Sequence, residues 1–246
     1  MQKRTAIVTG GSSGIGEAIV KNLTQSNYQV FNMDIAPPQQ TLANATFVQC
    51  DVRDAHAVNT EIAAIGDNYN LDALVINAGK HLSANIAQTT DSDFDAIMKL
   101  NVYGAFHVLR ACITHMQQAK RGSVVIVSSD QALVAKSNSF AYNLSKSALA
   151  SMAKTTALDY AADNIRVNAV CPGTIDTPLY QQAIKRYCDS SGADPAEVHA
   201  QEAALQPLNR IGQASEVADL VAFLLSDKAT FITGSLQVID GGYTVA

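Results

Sequence analysis

The sequence predicts an α/β fold, a doubly wound parallel sheet of about seven strands forming a single domain over residues 1–246. Three observations carry this. Apolar strand-like runs alternate with segments of helical periodicity from end to end. The strand runs are continuously apolar, as in strands covered by helices on both faces. Hydrophobic residues make up 48% of the chain and charged ones 16%, which supplies a sizeable core and excludes a disordered or coiled-coil chain.

Each element follows in order. Thr5–Thr9 reads as a short buried strand, and Ile15, Ala18, Ile19 and Leu23 follow at helical spacing. Gln29–Asp34 and Thr46–Val52 are the next strands, before a helix at Ala55–Ile65. Leu71–Asn77 is a strand rich in Leu, Val and Ile. Thr90-Asp91-Ser92-Asp93 reads as a helix cap, with Asp93 in the acidic position of a capping box, and opens one long helix to Gln118. Ser123–Ser129 is a strand and Ser139–Ala162 an Ala-rich helix. Ile165–Cys171 is a strand that stops at Pro172-Gly173. Ser215–Leu225 is a helix and Leu236–Asp240 the last strand. Only residues 174–210 break the rhythm. They are polar and charged, interrupted by Gly192 and Pro195, and form a candidate substrate lid.

The formal net charge is −5, and the 17 Lys and Arg are spread without a basic run, which disfavours a nucleic-acid surface. Cys50, Cys112, Cys171 and Cys188 form no C-x-x-C pair, so reduced thiols in a cytoplasm are expected. After Met1, Gln2, Lys3 and Arg4 the chain runs straight into Thr5-Ala6-Ile7-Val8, which reads as a core strand, so no secretory signal is expected. No apolar run has the length of a membrane helix. His56, His107, His115 and His199 form no metal-ligand spacing, and no metal is expected.

The loop Thr9-Gly10-Gly11-Ser12-Ser13-Gly14-Ile15-Gly16 lies between the first strand and the first helix. Gly10 can turn the chain sharply, Gly14 lets backbone approach a pyrophosphate, and Gly16 lets helix pack on strand. Bare N–H groups at the helix start then meet phosphate. Asp34 ends the second strand, 18 residues after Gly16. A carboxylate there accepts from an adenosine ribose diol and repels a 2′-phosphate. Neither Ser12-Ser13 nor the residues just after Asp34 supply a compensating base, so NAD is expected over NADP.

Tyr142 and Lys146 stand at i and i+4, on one helix face. Ser129 ends the preceding strand, on the side where open α/β sheets bind their ligands. The three side chains can therefore share a crevice with the glycine loop.

With these residues assembled, the chain resembles the short-chain dehydrogenase/reductase family, in its compact, Rossmann-like, single-domain branch, over nearly its whole length. Thr9–Gly16 matches the family's T-G-x-x-x-G-x-G. Asn77-Ala78-Gly79 is similar to its N-A-G element, and Tyr142 to Lys146 matches Y-x-x-x-K, with Ser129 placed 13 residues before Tyr142. Pro172-Gly173 with Thr177 is similar to its nicotinamide segment, and Asp240-Gly241-Gly242 to its C-terminal signature. The resemblance implies cofactor contacts from Gly10, Ser12, Ser13, Gly14, Ile15 and Gly16, and from Asp34 and Ile35. It implies adenine contacts from Asp51 and Val52, and further contacts from Asn77, Ala78 and Gly79. Tyr142, Lys146, Pro172, Gly173, Ile175 and Thr177 complete the set. One departure is Asp130-Gln131-Ala132, where the family often has small residues and a glycine.

The activity implied is hydride transfer between nicotinamide and a carbon-bound hydroxyl. Asn101, Ser129, Tyr142 and Lys146 are the expected catalytic residues. The Lys146 ammonium and oxidised nicotinamide would favour the Tyr142 phenolate, which takes the alcohol proton. Ser129 would position the substrate oxygen, Lys146 would hold the nicotinamide ribose, and Asn101 would hold a water that links Lys146 to solvent. His81, Gln131 and Ser139 are expected beside Ser129 at the reacting carbon, with Lys136 nearby. These polar side chains favour a small polar substrate: a hydroxy acid, a polyol or a sugar derivative. Two other readings stand beside this one, a 3-oxoacyl-carrier-protein reductase and a non-catalytic NAD-sensing module. The family further implies a homo-oligomer, a dimer or tetramer.

Overall fold

A computed structural model describes residues 3–246; Met1 and Gln2, read above as the lead-in to the first strand, lie outside the described residues. The chain begins β1 (Arg4–Thr9), α1 (Gly14–Gln25), β2 (Tyr28–Asp34), β3 (Ala45–Gln49), α2 (Ala55–Gly66) and β4 (Leu71–Ile76). It continues α3 (Asp91–Ile97), α4 (Gly104–Ala119), β5 (Gly122–Val127), α5 (Phe140–Tyr160) and β6 (Ile165–Pro172). Then come β7 (Ile175–Asp176), α6 (Pro178–Ser191), α7 (Pro195–Ala204), β8 (Gly212–Gln213), α8 (Ala214–Leu225) and β9 (Leu236–Ile239).

Seven strands form one sheet in the order β3-β2-β1-β4-β5-β6-β9, and every pairing is parallel. Strand periodicity divides the core between two faces. Ala6, Val8, Val75 and Val125 pack with Ile19 and Leu23 of α1 and Val221 of α8. Their neighbours Ile7, Leu74 and Ile126 pack on the opposite face with Ile62 of α2, Cys112 of α4 and Leu149 of α5. Both faces are thus covered, which is why the strands read as unbroken apolar runs. The strand order reverses between β1 and β4, opening a crevice at the carboxyl ends of the sheet.

Three expectations need correction. The third strand ends at Gln49 rather than Val52, because its register with β2 ends at Asp34 and the chain turns to meet Asp54. Asp54 caps α2 by accepting from the N–H groups of His56 and Ala57. The helix expected to run unbroken to Gln118 is two helices joined by a π-helical stretch, Met98–Tyr103. Its start is as expected: Thr90 accepts from the Asp93 N–H at 3.1 Å, though the Asp93 carboxylate accepts from the Thr90 hydroxyl rather than from its backbone. Residues 174–210 are not irregular but hold α6 and α7. Each has Pro at its first position and a capping side chain, Thr177 and Asp194 respectively. Among the described residues, no helix is long and apolar enough to cross a membrane, and no His/Cys/Asp/Glu group could hold a metal ion.

Candidate active site

A cavity of about 720 Å³ lies at the carboxyl ends of the strands, over the reversal point. The glycine loop, Asp34, Asp51, the Asn77–Gly79 segment, Ser129, Tyr142, Lys146 and the Pro172–Thr177 segment all reach its wall. Of the residues anticipated from sequence, Ser12, Gly16 and Asn101 do not line it.

Their places explain why. Gly10 has φ +65°, and a Cβ there would come within 2.9 Å of the Ala78 Cα. A Cβ on Gly16 would come within 2.0 Å of the Gly10 carbonyl oxygen, so Gly16 lets α1 press against the loop from behind. Asn77 braces the same turn, donating through Nδ2 to the carbonyls of Thr9 (3.1 Å) and Gly10 (2.9 Å). The Thr9 hydroxyl accepts from the N–H groups of Asn77 and Ala78 in return. At the start of α1, Ser13 is extended and makes no side-chain cap, unlike Asp54, Thr90, Thr177 and Asp194 on their helices. The first N–H groups of α1 thus meet no capping side chain where Ser13, Gly14 and Ile15 line the cavity, which fits a phosphate-bearing cofactor.

At the far end, Asp34 Oδ2 accepts from the Ser12 N–H at 3.0 Å and Oδ1 from the Ala36 N–H at 3.3 Å. The buried Ser12 hydroxyl donates to the Ala36 carbonyl at 2.7 Å. Ser12 therefore ties the loop to the end of β2. Arg53, not anticipated from the sequence, also lines this end. Its guanidinium forks onto Asp51 at 2.6–3.0 Å, and that pairing holds the Asp51 carboxyl below its ordinary range. The available signal was an Arg two residues after a cavity Asp.

The opposite end holds the reactive side chains. Lys146 Nζ donates to the Val127 carbonyl at 3.0 Å and lies 5.5 Å from the centre of the Tyr142 ring. Burial lowers the Lys146 ammonium to about 8. The same cause raises the Tyr142 phenol to about 12. A hydrogen bond with Ser129 pulls it down, and the Asp130 charge pushes it further up. Burial is the largest of these influences, and Lys146 is not among them. The Ser129 hydroxyl donates to Asp130 Oδ1 at 2.7 Å. His81 packs edge-on against Tyr142, with ring centres 4.7 Å apart, and its Nε2 is 3.4 Å from the Ser139 hydroxyl. Burial, with Lys136, Arg186 and Lys146 adding repulsion, lowers His81 to about 4, so its ring is neutral at pH 7.

Gln131 and Ser139 reach the wall as expected, and Lys136 is ion-paired at 3.1 Å with Glu202 of α7. Tyr180, Gln182 and Glu202 bring the 174–210 segment to the cavity. They went unanticipated because helical residues far along the chain carry no local sign of what they face. Asn101 lies behind the wall in the π-helical stretch, fully buried, bonded to the Lys80 backbone and, through Nδ2, to the Ser145 hydroxyl at 3.0 Å.

Comparison with known proteins agrees with this layout. A family model described as enoyl-(acyl carrier protein) reductase matches residues 10–244. A short-chain dehydrogenase family protein of Francisella tularensis is 40% identical, with a TM-score of 0.93 over 99% of this chain and 100% of its own. The chain belongs to the short-chain dehydrogenase/reductase family. The 2-(R)-hydroxypropyl-CoM dehydrogenase of Xanthobacter autotrophicus is 37% identical over 98% of each chain. The ligand-free aldohexose dehydrogenase of Thermoplasma acidophilum is 34% identical, with a TM-score of 0.94 over 100% of this chain and 95% of its own. The protein is thus an oxidoreductase of a family that uses a nicotinamide cofactor.

Proposed function

We propose that this short-chain dehydrogenase/reductase uses NAD to interconvert a secondary alcohol and a ketone on a small polar substrate. The observation that carries the cofactor reading is Asp34. Loop N–H groups on both its oxygens hold the carboxylate at the adenosine end of the cavity. There it can accept from a ribose diol, and it repels a 2′-phosphate. The basic side chain at that end, Arg53, is occupied by Asp51.

When bound, oxidised nicotinamide would supply the hydride acceptor and a positive charge. Tyr142 takes the alcohol proton at its hydroxyl oxygen during oxidation and returns it during reduction. Ser129, bonded to Tyr142, positions the substrate oxygen. Lys146 would hold the nicotinamide ribose, and Asn101 sets the packing behind Lys80. His81, Gln131 and Ser139 surround the reacting carbon, which suits a hydroxy acid, a polyol or a sugar derivative. The two enzymes compared above whose names state a substrate act on polar hydroxyl compounds, which supports this class. Helices α6 and α7 serve as the lid. Exposed Tyr103, Phe106, Leu144 and Leu158 on and beside α4 and α5 support a homo-oligomer.

Steady-state oxidation of hydroxy acids, polyols and sugars with each cofactor tests the reading. The expected kcat/KM with NAD exceeds that with NADP at least about tenfold; equal or better turnover with NADP overturns the Asp34 assignment.

A further inference from the structure

Among the described residues, Asp130 is the one acidic side chain bonded directly to an expected catalytic residue, and the reaction outlined above has no use for it. It is 7% exposed and lines the reactive end of the cavity. Its Oδ1 accepts twice at 2.7 Å, from the Ser129 hydroxyl and from the Gln131 N–H. Its Oδ2 accepts no hydrogen bond among the described residues. Oδ2 is not among the buried atoms that lack a partner, so it is open to the cavity, where a ligand donor can reach it.

We propose that Asp130 determines specificity by accepting, at Oδ2, a hydrogen bond from a second hydroxyl on the carbon next to the reacting one, so that the substrate is a neutral vicinal diol or sugar and not a hydroxy acid. This rests on the alcohol-oxidising reading above and narrows it. Two observations separate the classes. A substrate carboxylate beside Asp130 would meet like charge in a buried setting, where repulsion is strong. Of the cations that act on His81, Lys136 is paired with Glu202, Lys146 donates to the Val127 carbonyl, and Arg186 does not line the cavity. A neutral polyhydroxyl compound meets no like-charge repulsion and brings a hydroxyl donor to Oδ2. Burial raises the Asp130 carboxyl from its ordinary range, and the hydrogen bonds from Ser129 and Gln131 oppose the rise.

The test uses three four-carbon alcohols of similar size: 2,3-butanediol, 2-butanol and 3-hydroxybutyrate, with an aldohexose as a larger polyol. For the wild-type enzyme with NAD, kcat/KM for the diol or the aldohexose is expected to exceed that for the other two at least tenfold. In Asp130→Asn, Oδ1 still accepts from Ser129 and Gln131, but the second position becomes a donor with no charge. The polyol preference over 3-hydroxybutyrate is then expected to fall at least tenfold, with 3-hydroxybutyrate gaining in absolute kcat/KM. A uniform loss on all substrates would mean that Asp130 only positions Ser129, and would overturn the proposal. Should the variant not fold, as judged by circular dichroism, the wild-type ranking decides alone. Preference for 2-butanol or 3-hydroxybutyrate overturns the specificity and leaves the oxidoreductase reading standing; no turnover of any of the four overturns both.

Discussion

Asn101 exchanges two hydrogen bonds with the backbone of Lys80: its Oδ1 accepts from the N–H at 2.9 Å, and its Nδ2 donates to the carbonyl at 3.0 Å. The side chain acts as a pseudo-backbone partner for the segment just after the Asn77–Gly79 turn. It sits in the π-helical stretch between α3 and α4. One helix run therefore fixes the wall of the cavity from behind, and its widened turn places Asn101 between Lys80 and Ser145.

Asn101→Ala is expected to lower stability by about 1–3 kcal/mol, because it removes two hydrogen bonds to the Lys80 backbone and one to the Ser145 hydroxyl. Urea unfolding monitored by circular dichroism measures this. A change below about 0.5 kcal/mol would show that the Lys80 segment finds other partners.

Tyr142→Phe keeps the ring that packs on His81 and removes only the hydroxyl. Turnover is expected to fall about 10²–10⁴-fold, with NADH affinity within about twofold of wild type. Fluorescence titration of NADH and initial rates separate the two effects. Retained turnover would remove Tyr142 from its proton-transfer role.

Lys146→Met should abolish turnover without loss of folding stability at pH 7. Burial lowers the ammonium to about 8, well under its ordinary value, so the fold disfavours the charged form. Between pH 8 and the ordinary lysine range the unfolded chain binds more protons, and stability rises with pH. Replacing the charge removes a penalty of at most about 3 kcal/mol, against which stands the lost bond to Val127. Thermal melting at pH 7 is expected to be unchanged or higher in the variant; a marked drop would show the ammonium to be net stabilising.

His81 gives the opposite end of the pH range. Its ring titrates at about 4 in the fold, against 6.5 ordinarily, so between those values the unfolded chain holds more protons. Stability from this residue is complete above pH 6.5 and is lost as pH falls towards 4, by at most about 3 kcal/mol. His81→Gln should flatten the rise in urea midpoint between pH 5 and pH 7.5. An unchanged slope would place the titration elsewhere.

Most strands and helices were legible within a few residues, because both sheet faces are covered and each strand shows as an apolar run. What failed was local. The π-helical stretch has the same apolar periodicity as an α-helix, so nothing distinguished it. The helices α6 and α7 carry little buried apolar surface, and their polar sequence hid them. The loop's spacing does not show that the Ser12 side chain bonds to Ala36 and its N–H to Asp34.

The order of motifs by itself determined the family, the parallel sheet and much of the cavity wall, since glycine spacing, the strand-end Asp34 and the helical Tyr142–Lys146 pair are all properties of short segments. Only the tertiary structure decided the electrostatics. The raised phenol of Tyr142, the neutral ring of His81, the Arg53–Asp51 fork and the Lys136–Glu202 pair depend on burial and on contacts set by the fold. Desolvation and charge proximity are sums over neighbours in space, and most of those neighbours lie far apart along the chain.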